Sequence, residues 1–144
     1  MTPQEIEVRD MRKVAIHEMG HTVVARHYGM VALPIITPTI TTNPLEERTW
    51  VGSTGYDTTH MTSLRRRRCA IAGMVAEFMD KPNVSKWALE EALESSYYNE
   101  EWSPSDLEAA EGWSSADFRA VYSILKRNWA AIEKGAASLV RKAA

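Results

Sequence analysis

The chain has 144 residues, of which 44% are hydrophobic and 25% are charged, as expected for one globular domain and unlike a disordered or collagen-like chain. The formal net charge of −2 does not indicate a general nucleic-acid or anionic-membrane binder, and a single cysteine excludes an internal disulfide or a site of several thiolates. No apolar run approaches the about 20 residues of a membrane span, and no signal-peptide pattern begins the sequence. We therefore expect one cytoplasmic domain over residues 1–144, without a membrane segment.

Helix signals come first along the chain. Thr2-Pro3-Gln4-Glu5 has the form of a capping box with proline at the first helical position, and it predicts a helix that runs to Tyr28 and ends at Gly29. Apolar periodicity and helix breakers predict four further helices, over residues 62–80, 85–98, 103–112 and 114–140.

Residues 31–56 have a different character. Segments 31–36 and 39–42 are rich in β-branched residues but are interrupted by Pro34 and Pro38, and residues 50–56 form a further strand pattern after a polar connection. Because proline donates no hydrogen bond to a ladder, it confines the first segment to a sheet edge. The expected fold is therefore mainly α with a small antiparallel β element.

Charge is unevenly distributed along the sequence. Residues 87–118 contain nine acidic side chains and no basic one, whereas Arg65–Arg68 form an uninterrupted basic run. Four consecutive arginines on a helix point in all directions, so we interpret them as a solvated face that pairs with the acidic region. A nucleic-acid contact is the alternative, but aromatic residues do not alternate with the arginines, and no nucleic-acid partner is expected.

The chemically informative segment is His17-Glu18-Met19-Gly20-His21, a His-Glu-x-x-His motif within the first predicted helix. Four residues turn an α-helix through about 400°, so the two imidazoles lie on one face within reach of one metal ion. Glu18 is rotated by about 100° from His17, where its carboxylate can act as a general base without being a ligand. Neutral imidazoles suit zinc, and the apolar surroundings of the motif indicate that its polar groups need such a partner.

A catalytic zinc site needs a third protein ligand, and several residues are candidates. His27 has the spacing of a metzincin ligand, but Val24 stands where those enzymes need glycine, so we expect His27 at the surface near the helix end. His60 lies in a polar segment, and Glu46 and Glu47 lie in a proline-containing loop where solvation is the simplest interpretation.

Two other carboxylates are candidates for the third ligand. Glu77 lies in an apolar helical stretch and can face inward, as a ligand or as a partner of one. Asp106 stands near the start of a predicted helix, where Ser103-x-x-Asp106 also fits a capping box with a purely structural role. The residues alone do not decide between Asp106 and the other candidates.

Three separated segments resemble the peptidase domain of FtsH, the membrane-anchored ATP-dependent zinc protease. Residues 14–24, which contain His-Glu-Met-Gly-His, are similar to that family's His-Glu-Ala-Gly-His helix. Residues 72–77, Ala-Gly-Met-Val-Ala-Glu, are similar to its Ala-Gly-Arg-Ala-Ala-Glu helix, and residues 105–110 resemble its Asn-Asp-Leu-Glu-x-Ala segment. The segments occur in the family's order, and residues 52–56 resemble the strand that precedes the second one.

The resemblance implies a zincin-like, mainly helical peptidase domain that binds one Zn²⁺ per chain. It implies that His17, His21 and Asp106 bind the zinc. Glu18 would be the catalytic carboxylate, and Glu77 would support the site from behind. Substrate peptide would add along the exposed strand by β-augmentation, at Gly52, Ser53, Thr54 and Gly55.

The sequence departs from the family at several points. Met19 replaces its alanine, Ser105 replaces its asparagine, and the sequence contains neither a transmembrane helix nor an ATPase phosphate loop. The leading hypothesis is a stand-alone zinc endopeptidase that hydrolyses protein or peptide substrates through a metal-activated water. The alternative is a non-catalytic, zinc-stabilised regulatory or interaction module. A homo-oligomer and a separate ATPase partner both stay open.

Overall fold

The computed structural model describes residues 1–39 and 49–143. In this part of the chain the elements are α1 (Pro3–His27), β1 (Leu33–Pro38), β2 (Trp50–Gly55), α2 (Ser63–Met79), α3 (Lys86–Tyr98), α4 (Pro104–Ala110), α5 (Ser115–Arg127) and α6 (Trp129–Ala143). The fold is mainly helical with a small antiparallel sheet, as the sequence predicts. None of the helices in the described residues combines the length and the apolar character of a membrane span.

Short polar side chains begin several of the helices, as the capping patterns predict. Thr2, Thr62 and Ser85 each accept a hydrogen bond from the backbone N–H three residues later, at 3.1 to 3.2 Å. α1 ends just before Gly29, whose φ of +84° is a left-handed conformation that glycine adopts without strain. Local capping chemistry therefore locates these boundaries to within a residue or two.

The prediction of one continuous helix over residues 114–140 is wrong, because the structure divides this segment at Asn128. α5 ends at Arg127 and α6 begins at Trp129. The Asn128 side-chain amide donates to the Ile124 carbonyl oxygen at 2.7 Å, a local bond that competes with the regular helical pattern. Apolar residues recur on both sides of the break, so periodicity alone does not reveal it.

β1 and β2 pair along their whole length in an antiparallel ladder, with Ile36 opposite Gly52. β1 contains both Pro34 and Pro38. In the two-stranded sheet of the described residues each strand is an edge, so the missing N–H groups disturb no second ladder. The edge position predicted from the prolines is therefore confirmed.

Part of the predicted β region is not described. Of the expected strand segment 39–42, the structure describes only Thr39, which follows the end of β1. Glu46 and Glu47 also lie outside the described residues.

α1 and α2 pack together at the centre of the fold through small residues. A Cβ on Gly20 would lie 2.6 Å from the Ala72 carbonyl oxygen and 2.7 Å from the Ala76 Cβ, so a larger residue would force the helices apart. α5 packs on both helices, and α6 packs on α1. Met19 lies against Gly135 of α6, where a Cβ would overlap the methionine side chain. Gly135 of α6 thus makes room for the long side chain of Met19.

Arg67 and Arg68 of α2 share one carboxylate at the start of α5. Arg67 Nε donates to Asp117 at 3.1 Å and Arg68 Nε donates to its other oxygen at 2.9 Å, while only 2% of the Asp117 side chain is exposed. Arg65 and Arg66 are exposed. The interpretation of the arginine run as paired with the acidic region is confirmed for Arg67 and Arg68.

We expect Asp117→Asn to lower the free energy of unfolding by about 2 to 3 kcal/mol, because it leaves two guanidinium groups without their shared carboxylate. Burial would raise the pKa of Asp117, but hydrogen bonds from Arg68 and Arg67 outweigh it and hold this pKa below its ordinary value of 3.8. The carboxylate's stabilisation is therefore complete above about pH 4 and is lost as the pH falls through the lowered pKa. Urea unfolding at several pH values should show a shallower acid-induced loss of stability for the variant.

Arg66→Ala is the matched control, since it removes an exposed arginine of the same run. It should change the free energy of unfolding by less than about 0.5 kcal/mol. Equal losses in the Asp117 and Arg66 variants would contradict the assignment of stability to the shared carboxylate.

Candidate metal centre

His17 and His21 stand one turn apart on α1, and Asp106 of α4 meets them. The two Nε2 atoms are 3.0 Å apart, and Asp106 Oδ2 lies 3.4 Å from His17 Nε2 and 3.3 Å from His21 Nε2. Tetrahedral ligands at about 2.0 to 2.1 Å from a zinc ion lie about 3.3 Å from one another. The three atoms therefore have the mutual spacing of ligands around one ion, and the described residues contain this group as a candidate metal site.

The far ring nitrogens of both histidines are held by other groups. His17 Nδ1 lies 2.5 Å from Glu77 Oε2, and His21 Nδ1 lies 2.7 Å from the Cys69 carbonyl oxygen. When each Nδ1–H donates to its oxygen, each Nε2 keeps a lone pair on the side of Asp106. These contacts favour the tautomer and the ring orientation that metal ligation requires.

Negative charge accumulates around the two imidazoles. Burial opposes a charged His17, but hydrogen bonds to Asp106 and Glu77 outweigh it and raise the pKa of His17 to about 10. Burial would raise the pKa of Asp106, but hydrogen bonds from His17 and His21 hold it well below its usual range. The cluster therefore attracts positive charge, which a proton or a divalent metal ion can supply.

Gly73 of α2 leaves space beside the ligand atoms. A Cβ at this position would lie 2.5 Å from His21 Nε2 and closer still to His17 Nε2. Four residues later, the same helix supplies Glu77 behind His17. A metal ion therefore fits this site. The site offers three donor atoms, two oriented imidazoles and a space that any side chain at position 73 would fill.

Asp106 reaches the histidines from the first turn of α4. The Ser103 hydroxyl caps this helix, since it accepts a hydrogen bond from the Asp106 N–H at 3.3 Å. The Asp106 carboxylate takes no part in this cap and faces the histidines. The preceding Trp102 is buried, and its indole N–H donates to the Ser96 hydroxyl of α3 at 2.8 Å. This anchor fixes the segment that presents the carboxylate.

Glu18 lies on the neighbouring face of α1, beneath β2. Only 5% of the residue is exposed, and Oε1 accepts a hydrogen bond from the Thr54 hydroxyl at 2.8 Å. A cavity of about 470 Å³ is lined by Glu18 together with His17, His21 and Asp106. A carboxylate in this position can accept a proton from a water held in the cavity.

Of the four strand residues predicted to bind substrate, Gly52, Ser53 and Thr54 line the cavity. Gly55 is not among the described residues that line it, and a Cβ there would meet nothing within 4 Å. The structure therefore brings three of these four positions to the metal centre and leaves the fourth at the end of β2.

Sequence reasoning missed Tyr56, Met74 and Trp102 as cavity residues. Burial raises the pKa of Tyr56, so its hydroxyl stays protonated and can donate a hydrogen bond. The available signal for Tyr56 was its place at the end of the second strand pattern. Met74 and Trp102 carried no such signal, because apolar residues at those positions are equally typical of the hydrophobic core and of a cavity wall.

The other two histidines lie away from the cluster. His27 is exposed in the last turn of α1, with its ring edge against Tyr28, as expected. His60 is exposed in the segment before α2. Within the described chain, neither contributes to the candidate metal group.

We expect Gly73→Ala to lower zinc affinity by about 100-fold or more, because the added methyl group occupies the space beside both ligand nitrogens. Alanine favours the helix, so the helical circular dichroism should be retained. Gly55→Ala is the matched control, since its Cβ meets nothing, and its zinc affinity should equal that of wild type. Stoichiometric zinc of unchanged affinity in Gly73→Ala would contradict the site.

Asp106→Asn should also lower zinc affinity by about 100-fold, because the variant loses the anionic oxygen between the two histidines. Titration with a competing chelator measures this change. Glu108→Gln, which neutralises an exposed carboxylate on the same helix, should bind zinc like wild type. If Asp106→Asn kept its affinity, Glu77→Gln would be the next variant to test for the third ligand.

No protein-family model matches the chain, and no curated protein matches it either. The chemical interpretation of the site rests on the contacts of His17, Glu18, His21 and Asp106 described above.

Proposed function

We propose that this protein is a zinc-dependent endopeptidase similar to the peptidase domain of FtsH. The observation that carries the proposal is the 3.0 to 3.4 Å spacing among the ligand atoms of His17, His21 and Asp106. The buried carboxylate of Glu18 lies beside this group. Structural zinc sites are closed by four protein ligands, whereas three ligands with an adjacent base are typical of hydrolytic sites.

Zinc is the metal that two imidazoles and one carboxylate favour, and one ion per chain would be held by His17, His21 and Asp106. When bound, zinc lowers the pKa of a water to about 7 and polarises a carbonyl oxygen. The chain's own contribution is to orient the imidazoles, through Glu77 at His17 and through the Cys69 carbonyl at His21.

Glu18 is the residue that moves the proton in this proposal. Its carboxylate accepts a proton from the attacking water as the new C–O bond forms. It then donates that proton to the leaving amine as the C–N bond breaks. Both transfers need a carboxylate that is close to the metal without being a ligand, and the place of Glu18 in the lining of the cavity with His17 and His21 supports this role.

Peptide or protein substrates would bind along β2. Among the described residues β2 pairs only with β1, so its other edge carries backbone groups that an extended peptide can use. Gly52 and Ser53 line the cavity next to the metal centre, which would place a peptide on this edge beside Glu18.

The resemblance to the FtsH peptidase domain supports the same ligand set. It does not indicate which component would unfold a folded substrate before cleavage. We propose that unfolded or short substrates are cleaved directly in the cytoplasm. Folded substrates would require a separate ATPase partner or a homo-oligomeric assembly. The alternative function, a zinc-stabilised regulatory module, gains support only if the metal binds and no substrate is cleaved.

Glu18→Gln should keep zinc and lose activity, because glutamine preserves the shape of the side chain but does not accept the proton. We expect hydrolysis of an unfolded substrate such as casein to fall by about 10² or more. Elemental analysis should show one zinc per chain in both proteins.

Glu111→Gln, at an exposed position outside the cavity, is the control and should cleave casein like wild type. Equal activity in wild type and Glu18→Gln would contradict the peptidase mechanism. Zinc binding without activity in any of the proteins would favour the regulatory module.

A further inference from the structure

We infer that Thr54 is a positioning residue for Glu18, so that strand β2 holds the general base in place; this inference rests on the proposed peptidase function. The Thr54 hydroxyl donates to Glu18 Oε1 at 2.8 Å. Among the described residues, no other group donates a hydrogen bond to this carboxylate. The resemblance places Thr54 on the substrate strand, whereas its side chain faces inward to the base.

The Thr54 hydroxyl has one hydrogen and two acceptors within reach. Besides Oε1, the Glu18 carbonyl oxygen lies 3.1 Å away. That carbonyl oxygen already accepts a hydrogen bond from the Thr22 hydroxyl at 2.7 Å. Because the carboxylate oxygen is closer and, within the described part of the chain, has no other donor, it is the stronger acceptor for the Thr54 hydrogen.

Gly52 lies against the other side of the same carboxylate. A Cβ on Gly52 would lie 2.6 Å from Glu18 Cγ and 2.8 Å from Glu18 Oε2. Any side chain at position 52 would therefore displace Glu18. Side chains two residues apart share a face of a strand, so Gly52 and Thr54 belong to the face of β2 that covers the base.

These two contacts restrict a side chain that is otherwise flexible. Glutamate loses substantial rotamer entropy when it is ordered, and a base that is already placed does not lose it again at the moment of reaction. With Oε1 bonded to Thr54 and Oε2 next to Gly52, the carboxylate is placed before substrate arrives. Thr54 acts through Glu18 and not through the peptide.

The same strand would pair with substrate through its main chain. β-augmentation uses backbone N–H and C=O groups, so the Thr54 side chain is not needed to bind the peptide. Loss of the hydroxyl should therefore lower turnover more than peptide affinity. This separation of effects distinguishes a positioning role from a role in holding β2 or the substrate.

The test uses the zinc-loaded full chain with Thr54→Val, which removes the hydroxyl, and with Thr54→Ser, which restores it. The probe is benzyloxycarbonyl-leucine hydroxamate, since a hydroxamate binds a metal and also hydrogen-bonds a neighbouring carboxylate. We expect Thr54→Val to weaken hydroxamate binding about 10-fold in calorimetry, with zinc affinity within about twofold of wild type. Thr54→Ser should recover most of the affinity. With a peptide substrate, kcat should fall about 10-fold while KM changes less than about twofold.

Thr49→Val is the matched control. The Thr49 hydroxyl also donates to a buried carboxylate of α1, that of Asp10 at 2.9 Å, but Asp10 does not line the cavity of the metal centre. Thr49→Val should therefore leave hydroxamate affinity at the wild-type value. In a Glu18→Gln background, Thr54→Val should cause no further loss, because the two residues act as a unit.

Equal hydroxamate affinity in Thr54→Val and wild type, or equal losses in the Thr49 and Thr54 variants, would overturn the inference and leave the proposed function standing. Hydroxamate binding that depends on Thr54, in a protein that cleaves no peptide, would support the placement of the Glu18 carboxylate by Thr54 and overturn the proposed peptidase function. Failure to bind zinc would overturn both.

Discussion

The close approach of α1 and α2 is the contact on which the candidate metal centre depends. Gly20 lets the two helix backbones come together, and Gly73 leaves room for the histidines once they have done so. At this separation Glu77 and the Cys69 carbonyl reach the far nitrogens of His17 and His21. A wider separation of the two helices would move Glu77 and the Cys69 carbonyl away from those nitrogens. Gly20 and Gly73, which have no side chain, thus allow the histidines and their hydrogen-bond partners to come together.

Much of the fold could be predicted because its signals are local. The cap at Thr2, the glycine after α1 and the i, i+4 spacing of His17 and His21 each depend on a few neighbouring residues. The break at Asn128 was missed although it too is local, because one amide hydrogen bond leaves the apolar periodicity intact. Periodicity records which face is buried and not whether the backbone is continuous.

The parts of the candidate site that escaped prediction are side-chain contacts between different elements or loops of the fold. The bond from Thr54 to Glu18 and the bond from Trp102 to Ser96 join residues whose types are ordinary for a strand or a core. Asp106 could be placed near the metal only through the resemblance, because its spacing from Ser103 fits a helix cap equally well. Physical reasoning from sequence identifies which groups need partners, but it does not supply the tertiary packing that brings the partners together.

The origin of Asp106 in a separate helix has a further consequence for the stability of the fold. An ion shared by His21 and Asp106 would close a loop of 85 residues. An unfolded chain does not hold ligands so distant in sequence close together, so the ion would bind the folded state and its binding free energy would add to the free energy of unfolding. With one cysteine, the chain forms no internal covalent link of this kind. A metal ion at this centre would therefore form a reversible cross-link between two distant parts of the sequence. The ion would stay bound only while its ligands are deprotonated.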